Sequence, residues 1–140
     1  MEFLIAHEAD SASYGLNLGL LTLADDDYGE DMQVWWDVGG YEAIIDYDLS
    51  AKVFDTVMSI GAARAHRQLQ IAINRLSDKP IAVDGKLSTI TLEKCNVLMR
   101  ENDNLLSEFR ECIAHYFRNL VADNPQYRSY LDSWLKRAYD

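Results

Sequence analysis

The sequence predicts an α+β fold in which an N-terminal antiparallel β-meander of three or four strands precedes three or four helices. Residues 1–49 contain short apolar or alternating runs between turn-forming residues, a pattern typical of strands. Residues 50–140 contain apolar residues at spacings of three and four, a pattern typical of helices. The length of 140 residues and the hydrophobic content of 49% fit a single domain, 1–140, with its own core.

Four strand-like runs make up the predicted meander: 2–7, 16–24, 33–38 and 41–47. The acid-rich stretch 25–31 predicts a turn, and Gly39-Gly40 predicts a two-residue hairpin between the last two strands. The alternating residues of the last run would share one face, since side chains alternate along a strand: Tyr41, Ala43, Ile45 and Tyr47. The sheet would then have one core face and one acidic face.

The first predicted helix begins at Ser50 as its N-cap and ends at 77–80. Gly61 interrupts this helix at a point where it can bend. The run 81–90 predicts a short hairpin around Asp84-Gly85, with a plain loop as the alternative.

Two further helices follow in the sequence. Thr91 would cap the first of them, and the polar run 101–104 marks a break or an exposed turn. Asn124-Pro125 would open the last helix, because Asn is a preferred N-cap and Pro is favoured at the first helical position.

The charge of the chain is unevenly distributed. Thirteen Lys and Arg against 23 Asp and Glu give a net charge of −10. Residues 1–51 carry twelve acidic residues and no Lys or Arg, whereas residues 52–140 carry eleven acidic and thirteen basic residues. This asymmetry indicates either an interaction surface of one sign or an acidic face that keeps the protein soluble. Direct binding to nucleic acid is not expected, because it requires concentrated positive charge.

The acidic and aromatic residues of the first third form the predicted partner-binding site. Trp35 and Trp36 would point to opposite faces of a strand, so one ring would lie among carboxylates unless helices cover both faces. A large aromatic residue in a charged field is typical of a protein-binding hot spot. The predicted site consists of Asp25, Asp26, Asp27, Tyr28, Glu30, Asp31, Trp35, Trp36, Asp37, Tyr41, Glu42, Asp46 and Asp48.

The sequence contains no catalytic or metal-binding motif with the required spacing. The stretch that begins at Asp25 fails the EF-hand pattern, because Glu30 stands at position six and Trp36 at position twelve. There is no Gly-rich phosphate loop and no helical His pair of the HExxH type. We therefore predict a protein that is not an enzyme and that holds no metal and no cofactor.

The cysteines and histidines have structural interpretations. Cys95 and Cys112 are predicted to be reduced and buried, because two cysteines without CxxC spacing make no disulfide framework. Cys112 and His115 are three apart on one helix, but a nucleophilic Cys requires an electropositive, accessible site. The basic cluster Arg64, His66 and Arg67 predicts a solvated helix face.

In its small size, its acidity and its lack of motifs, the chain is similar to nuclease-toxin immunity proteins and to viral inhibitors of host defence. The latter include anti-CRISPR and DNA-mimic proteins. We therefore predict an inhibitor that blocks a basic protein, such as a nucleic-acid-processing enzyme, by electrostatic steering. Its expected location is cytoplasmic, since the N-terminus lacks signal-peptide features and no run of about eighteen apolar residues predicts a membrane span.

Two alternatives stay open. The chain could be a small ligand-binding domain or enzyme with a cleft between sheet and helices, where Arg64, His66 and Arg67 make polar contacts. It could also be an oligomeric structural or assembly protein whose helical stripes pack between subunits. The sequence does not determine the oligomeric state.

Overall fold

The computed structural model describes residues 40–102 and 104–140, apart from the side chain of Asn102. These residues are 81% helical and contain no strand. The predicted α+β fold with an N-terminal β-meander is therefore wrong, and the described part of the chain is all-helical. Three of the predicted strands, 2–7, 16–24 and 33–38, lie outside the described residues.

Five α-helices and two short 3-10 helices make up the fold over the described ranges. The α-helices are α1 (Tyr47–Ile60), α2 (Ala62–Leu76), α3 (Thr89–Asn102), α4 (Asn104–Asp123) and α5 (Leu131–Tyr139). The 3-10 helices are Tyr41–Ala43 and Pro125–Tyr130. Helix α4 packs against each of the other four α-helices, and α2 also packs against α1 and α3. The apolar core therefore surrounds α4.

The fourth predicted strand, 41–47, is a 3-10 helix followed by the start of α1. Tyr41 and Ile44 are buried, whereas Ile45 and Tyr47 are each 75% exposed. Burial therefore recurs after three residues, as in a helix, and not after two, as in a strand. Gly40 starts this turn with a φ of 73°, a left-handed conformation that glycine adopts without strain. Gly39 of the predicted hairpin lies outside the described residues, and the strand predicted to follow the hairpin is absent.

The N-cap of helix α1 lies four residues before the cap that the sequence predicts. This N-cap is Asp46, whose Oδ1 accepts a hydrogen bond from the Leu49 amide at 2.9 Å. Ser50, the predicted cap, lies inside the helix and donates its hydroxyl to the Tyr41 carbonyl oxygen at 2.5 Å. This bond ties the 3-10 turn to α1.

Gly61 divides the long predicted helix into α1 and α2. Its φ of 93° and ψ of 155° are incompatible with a continuous helix and would strain any residue with a side chain. The Gly61 amide donates to Val57 at the end of α1, and its carbonyl accepts from Ala65 in α2. The predicted end at 77–80 is confirmed, because α2 ends at Leu76.

The α2–α3 loop, residues 77–88, contains no strand, so the hairpin predicted for 81–90 is wrong. Two amide side chains of α2 bind the backbone of this loop. Asn74 accepts from the Ile81 amide at 2.8 Å and donates to the Ile81 carbonyl at 2.9 Å. Gln70 accepts from the Gly85 amide at 2.9 Å and donates to the Lys86 carbonyl at 3.0 Å. The backbone of the loop is therefore bound by side chains of α2 and forms no pair of strands.

The sequence predicts the junctions between α3 and α4 and between α4 and α5 only in part. The predicted break at 101–104 is confirmed, since α3 ends at Asn102 and α4 begins at Asn104. Helix α3 begins at Thr89, two residues before the predicted cap Thr91. Pro125 opens a 3-10 helix before α5, and the Asn124 side chain donates to the Leu120 carbonyl at 3.0 Å and makes no cap.

An aromatic cluster joins α4, the second 3-10 helix and α5. Trp134 is fully buried, and its ring centroid lies 5.4–5.9 Å from those of Phe117, Tyr127 and Tyr130. The Tyr130 ring stacks on it at an angle of 13°. This cluster fixes α5 against α4, and α5 in turn carries Arg137, which is described next.

Candidate functional site

A polar cleft of about 430 Å³ lies between α1, α4 and α5. We call it the cation cleft, because each of the three helices contributes one positively charged side chain: Lys52, Arg110 and Arg137. The other residues that line it are Tyr47, Asp48, Ala51, Asp55 and Asp140.

Arg137 connects α5 to α1 across the cation cleft. Its Nη2 atom forms an ion pair of 2.7 Å with Asp55 Oδ1, and the residue is only 8% exposed. Its main-chain carbonyl also accepts a hydrogen bond of 2.5 Å from Lys52 Nζ. Because both contacts are buried or nearly so, Arg137 holds the two helices at a fixed separation on this side of the fold.

Lys52 is a cation in an unfavourable position. It is 7% exposed, and burial lowers the pKa of its ammonium group. Asp55 and Asp140 raise that pKa, whereas Arg110 and Arg137 lower it further. Desolvation and two neighbouring cations therefore disfavour the charged form of Lys52, whereas Asp55 and Asp140 favour it.

Arg110 is the third cation of the cleft. Its Nη2 atom donates to the main-chain oxygen of Asp140 at 3.3 Å. Its Nε atom is buried and has no hydrogen-bond partner among residues 40–102 and 104–140. A buried guanidinium donor without a partner costs free energy.

Sequence reasoning did not select the cations of this cleft, although one signal for them exists. Lys52 lies three residues after buried Leu49 and four before buried Thr56, and Arg137 lies three residues after buried Trp134. A cation at an apolar register position of a helix is unusual and requires a polar partner or a ligand. That signal identifies individual residues but does not show that their side chains line the same cleft.

A second groove, of about 280 Å³, lies between α2 and α4 and contains the Cys112–His115 pair. Cys112 is 2% exposed and burial raises the pKa of its thiol, whereas His115 is exposed. Cys95 is fully buried, and burial raises its pKa to about 12. Both cysteines are free and buried, as predicted, and the environment of Cys112 disfavours the thiolate that nucleophilic chemistry requires.

His66 does not lie on a solvated face, contrary to the prediction for the cluster 64–67. It is 7% exposed and lies between Tyr41 and the α2–α3 loop. Its Nδ1 atom donates to the Gly85 carbonyl at 3.0 Å, so its Nε2 atom accepts from the Tyr41 hydroxyl at 3.0 Å. His66 thereby joins the first 3-10 turn to the loop as a neutral imidazole, and Arg64 and Arg67 of the cluster are half-buried and exposed.

We expect the His66 contacts to make stability depend on pH. Burial lowers the pKa of His66 from its ordinary value of 6.5, so the unfolded chain binds the proton more tightly than the folded protein. The contribution of His66 is therefore complete above pH 6.5 and falls as the pH drops toward the lowered pKa. The loss is about 1.4 kcal/mol for each pH unit that separates the two pKa values.

Urea unfolding of the wild type and of His66→Gln between pH 8 and pH 5 measures this effect. The difference in unfolding free energy between the two proteins is expected to shrink as the pH falls. A difference that stays constant over this range would show that His66 is not held neutral by the fold. His7 and His115 are present in both proteins and therefore cancel in the comparison.

The structure describes four residues of the predicted partner-binding site, and the other nine lie outside the described residues. Tyr41 is buried, and burial raises the pKa of its hydroxyl to about 12, so it belongs to the core. Asp46 caps α1, Glu42 is exposed on the 3-10 turn, and Asp48 lines the cation cleft. These four residues therefore do not form one surface patch.

No family model, no curated protein and no solved structure matches the chain. Within the described residues, no three or more His, Cys, Asp or Glu side chains are grouped so that they could hold a metal ion. No helix in the same ranges has the length and apolarity that crossing a membrane requires.

Proposed function

We propose that this protein is a non-enzymatic binding protein whose acidic N-terminal segment blocks a basic, nucleic-acid-processing protein. The observation that carries the proposal is the position of the charge relative to the helical body. Residues 1–39 contain nine acidic residues and no Lys or Arg, whereas residues 40–140 contain fourteen acidic and thirteen basic residues. Nearly the whole net charge of −10 therefore precedes the helical body.

A concentrated negative charge next to a nearly neutral body favours binding to a basic surface. Carboxylates attract a basic partner over about one Debye length, roughly 8 Å at physiological salt, and speed its association. A partner that binds nucleic acid presents such a surface in its phosphate-binding groove. An acidic segment that occupies the groove would exclude the nucleic acid, which is the proposed mechanism of inhibition.

The described residues next to the acidic segment add apolar contact area. Ile45 and Tyr47 are each 75% exposed, and exposed Glu42 lies on the same short stretch of chain. Tyr and large aliphatic residues provide contact energy at interfaces, whereas surrounding charges provide steering and specificity. We include Ile45, Tyr47 and Glu42 in the proposed surface and exclude Tyr41, because its side chain is buried.

The test compares two variants with the same change in charge. In the first, Asp25, Asp26, Asp27 and Asp31 are replaced by Asn. In the matched control, four exposed acids of the helical body are replaced by amides: Asp78, Glu93, Glu101 and Asp132. Tagged proteins are used to capture partners from native lysate at about 0.05 M and 0.5 M salt, and the captured basic partner is then assayed for nucleic-acid binding.

We expect wild type and control to capture the same basic protein at low salt and to abolish its nucleic-acid binding. The segment variant is expected to lose at least tenfold in affinity for it, because several charge-assisted contacts are removed together. If the segment variant captures and inhibits this protein as well as the control does, the proposal is wrong.

The proposal includes a cytoplasmic location, which the two free thiols of Cys95 and Cys112 support, since reducing compartments keep thiols unpaired. A second candidate function, a small ligand-binding domain, is favoured by one observation. The cation cleft lies between helices, not between a sheet and helices as first predicted, and its lining combines three cations with three carboxylates around a cavity of about 430 Å³.

A further inference from the structure

Lys52 is a buried lysine in the wall that α1 contributes to the cation cleft. It is 7% exposed and lines the cavity of about 430 Å³. Its Nζ atom donates to the Arg137 carbonyl oxygen at 2.5 Å, and no carboxylate within the described ranges forms an ion pair with it. The direct partner of Nζ is therefore a neutral oxygen, which belongs to another residue that lines the cleft.

The hydrogen bond from Lys52 to Arg137 does not require the ammonium form. Lysine side chains can bind the last carbonyls of a helix, and this bond caps the final turn of α5. A neutral amine can donate the same bond, since it keeps two N–H groups and gains a lone pair. The capping role is therefore compatible with a neutral Lys52 whose lone pair is available to an electrophile.

Burial and neighbouring charges make the neutral form of Lys52 more accessible. Burial has the largest effect and lowers the pKa of the ammonium group. Arg110 of α4 and Arg137 of α5 lower that pKa further, whereas Asp55 and Asp140 raise it. At a given pH, Lys52 therefore has a larger neutral fraction than an exposed lysine. Desolvation and a nearby cation are two ways in which proteins activate a lysine as a nucleophile.

We propose that Lys52 is a nucleophilic lysine that binds an aldehyde covalently, as an imine, in the cation cleft. The lone pair of the neutral amine bonds to the carbonyl carbon, and a proton moves from nitrogen to oxygen, which gives a carbinolamine. The nitrogen lone pair then expels the hydroxyl group, once protonated, as water, and the nitrogen loses its remaining proton. One amine and one aldehyde give one imine and one water, so no oxidant or reductant is consumed.

The lining of the cleft indicates an uncharged aldehyde with an aromatic or apolar portion. Three carboxylates, Asp48, Asp55 and Asp140, match its three cations, so the lining has no net positive charge and is negative when Lys52 is neutral. This balance disfavours an aldehyde that carries an anionic group. Tyr47 lines the cavity and is 75% exposed, so an aromatic group on the aldehyde can pack against its ring.

The test labels the full chain with benzaldehyde at neutral pH in the presence of cyanoborohydride. The reductant converts an imine to a stable secondary amine, which peptide mass spectrometry then assigns to a particular lysine. Three exposed lysines serve as internal controls: Lys79, Lys86 and Lys136. The reaction is repeated in concentrated urea, and with 4-carboxybenzaldehyde, which has the same ring and an added negative charge.

We expect benzaldehyde to label Lys52 of the folded protein at least about threefold faster than each exposed lysine, because the neutral amine is the reacting form. In urea the four lysines are expected to react at similar rates, since the environment of Lys52 is lost. Relative to the exposed lysines, 4-carboxybenzaldehyde is expected to label Lys52 more slowly than benzaldehyde does.

Arg110→Met separates the effect of charge from that of access. The substitution removes a cation from the cleft, so it raises the pKa of Lys52, and it shortens a side chain of the lining. We expect it to slow the labelling of Lys52 at least about twofold. The matched control is Arg118→Met, also on α4, which is exposed, lies outside the cleft and is expected to leave the labelling unchanged.

Any of three results would overturn this inference: no label on Lys52, labelling of Lys52 no faster than of the exposed lysines, or labelling in Arg110→Met as fast as in the wild type. Equal relative labelling by the two aldehydes would overturn the assignment of an uncharged ligand. If Arg110→Met does not fold, the comparison of folded and urea-unfolded wild type decides alone. No residue of 1–39 enters the argument, so the proposed partner-blocking function and this site can fail separately.

Discussion

Replacing Trp134 with alanine is expected to remove about 3–5 kcal/mol from the free energy of unfolding, the usual cost of truncating a buried aromatic residue. Trp134 is fully buried and its ring contacts those of Phe117, Tyr127 and Tyr130. Removing it leaves a cavity where α4, the second 3-10 helix and α5 meet. Since small domains are stable by only about 5–15 kcal/mol, the variant is expected to be marginally folded at room temperature.

The Trp134→Phe variant provides the matched control. The Trp134 Nε1 atom is buried without a hydrogen-bond partner among the described residues, so phenylalanine keeps the ring packing and removes an unsatisfied donor. We expect it to cost less than half of what Trp134→Ala costs. Far-UV circular dichroism during urea unfolding measures both, because it does not depend on the fluorescence of the replaced residue. Equal losses for the two variants would contradict the packing interpretation.

Replacing Gln70 with leucine is expected to cost about 2–4 kcal/mol, although leucine has a similar volume and the position is buried. Gln70 is 1% exposed, and its amide accepts from the Gly85 amide and donates to the Lys86 carbonyl, Asp84 Oδ1 and Thr91 Oγ1. Leucine would leave the buried Gly85 amide without this partner and would remove one donor from the Lys86 carbonyl, which also accepts from Thr91 Oγ1. Each such group costs about 1–3 kcal/mol.

Gln68→Leu is the control for this substitution, because Gln68 lies two residues away on α2 and is only partly buried. We expect it to change the free energy of unfolding by less than about 0.5 kcal/mol. Hydrogen exchange distinguishes the mechanism: the Gly85 amide is expected to be protected in the wild type and in Gln68→Leu, and to exchange rapidly in Gln70→Leu. Persistent protection in Gln70→Leu would show that the loop is held by other contacts.

The helices after residue 50 were predictable because their burial follows the period of a helix over many turns. The buried residues Ala65, Leu69, Ala72 and Ile73 recur at spacings of three and four along α2. Over the seven residues 41–47, however, the apolar residues fit both the two-residue period of a strand and the three- to four-residue period of a helix. The alternation at Tyr41, Ala43, Ile45 and Tyr47 predicted a strand, whereas Tyr41 and Ile44 are the residues buried. A short apolar run does not distinguish the two without its tertiary neighbours.

The sites that sequence reasoning missed depend on contacts between distant residues. His66 was expected on a solvated face because its neighbours Arg64 and Arg67 are charged, and nothing nearby in sequence indicates the Gly85 carbonyl that buries it. Lys52 and Arg137 are separated by 85 residues, so their contact depends on the packing of α5 against α1. A sequence pattern finds the face of a helix but not the residue that this face meets.

The α2–α3 loop combines a backbone held by hydrogen bonds with two exposed side chains. His66, Gln70 and Asn74 of the neighbouring helix bind its main chain, and the loop's own Ser77 and Asp84 side chains make further bonds to its backbone. Ala82 and Val83 are exposed within it. Randomised residues at these two positions would therefore be displayed on a fixed backbone, which makes the loop a place to graft short recognition sequences onto this helical body.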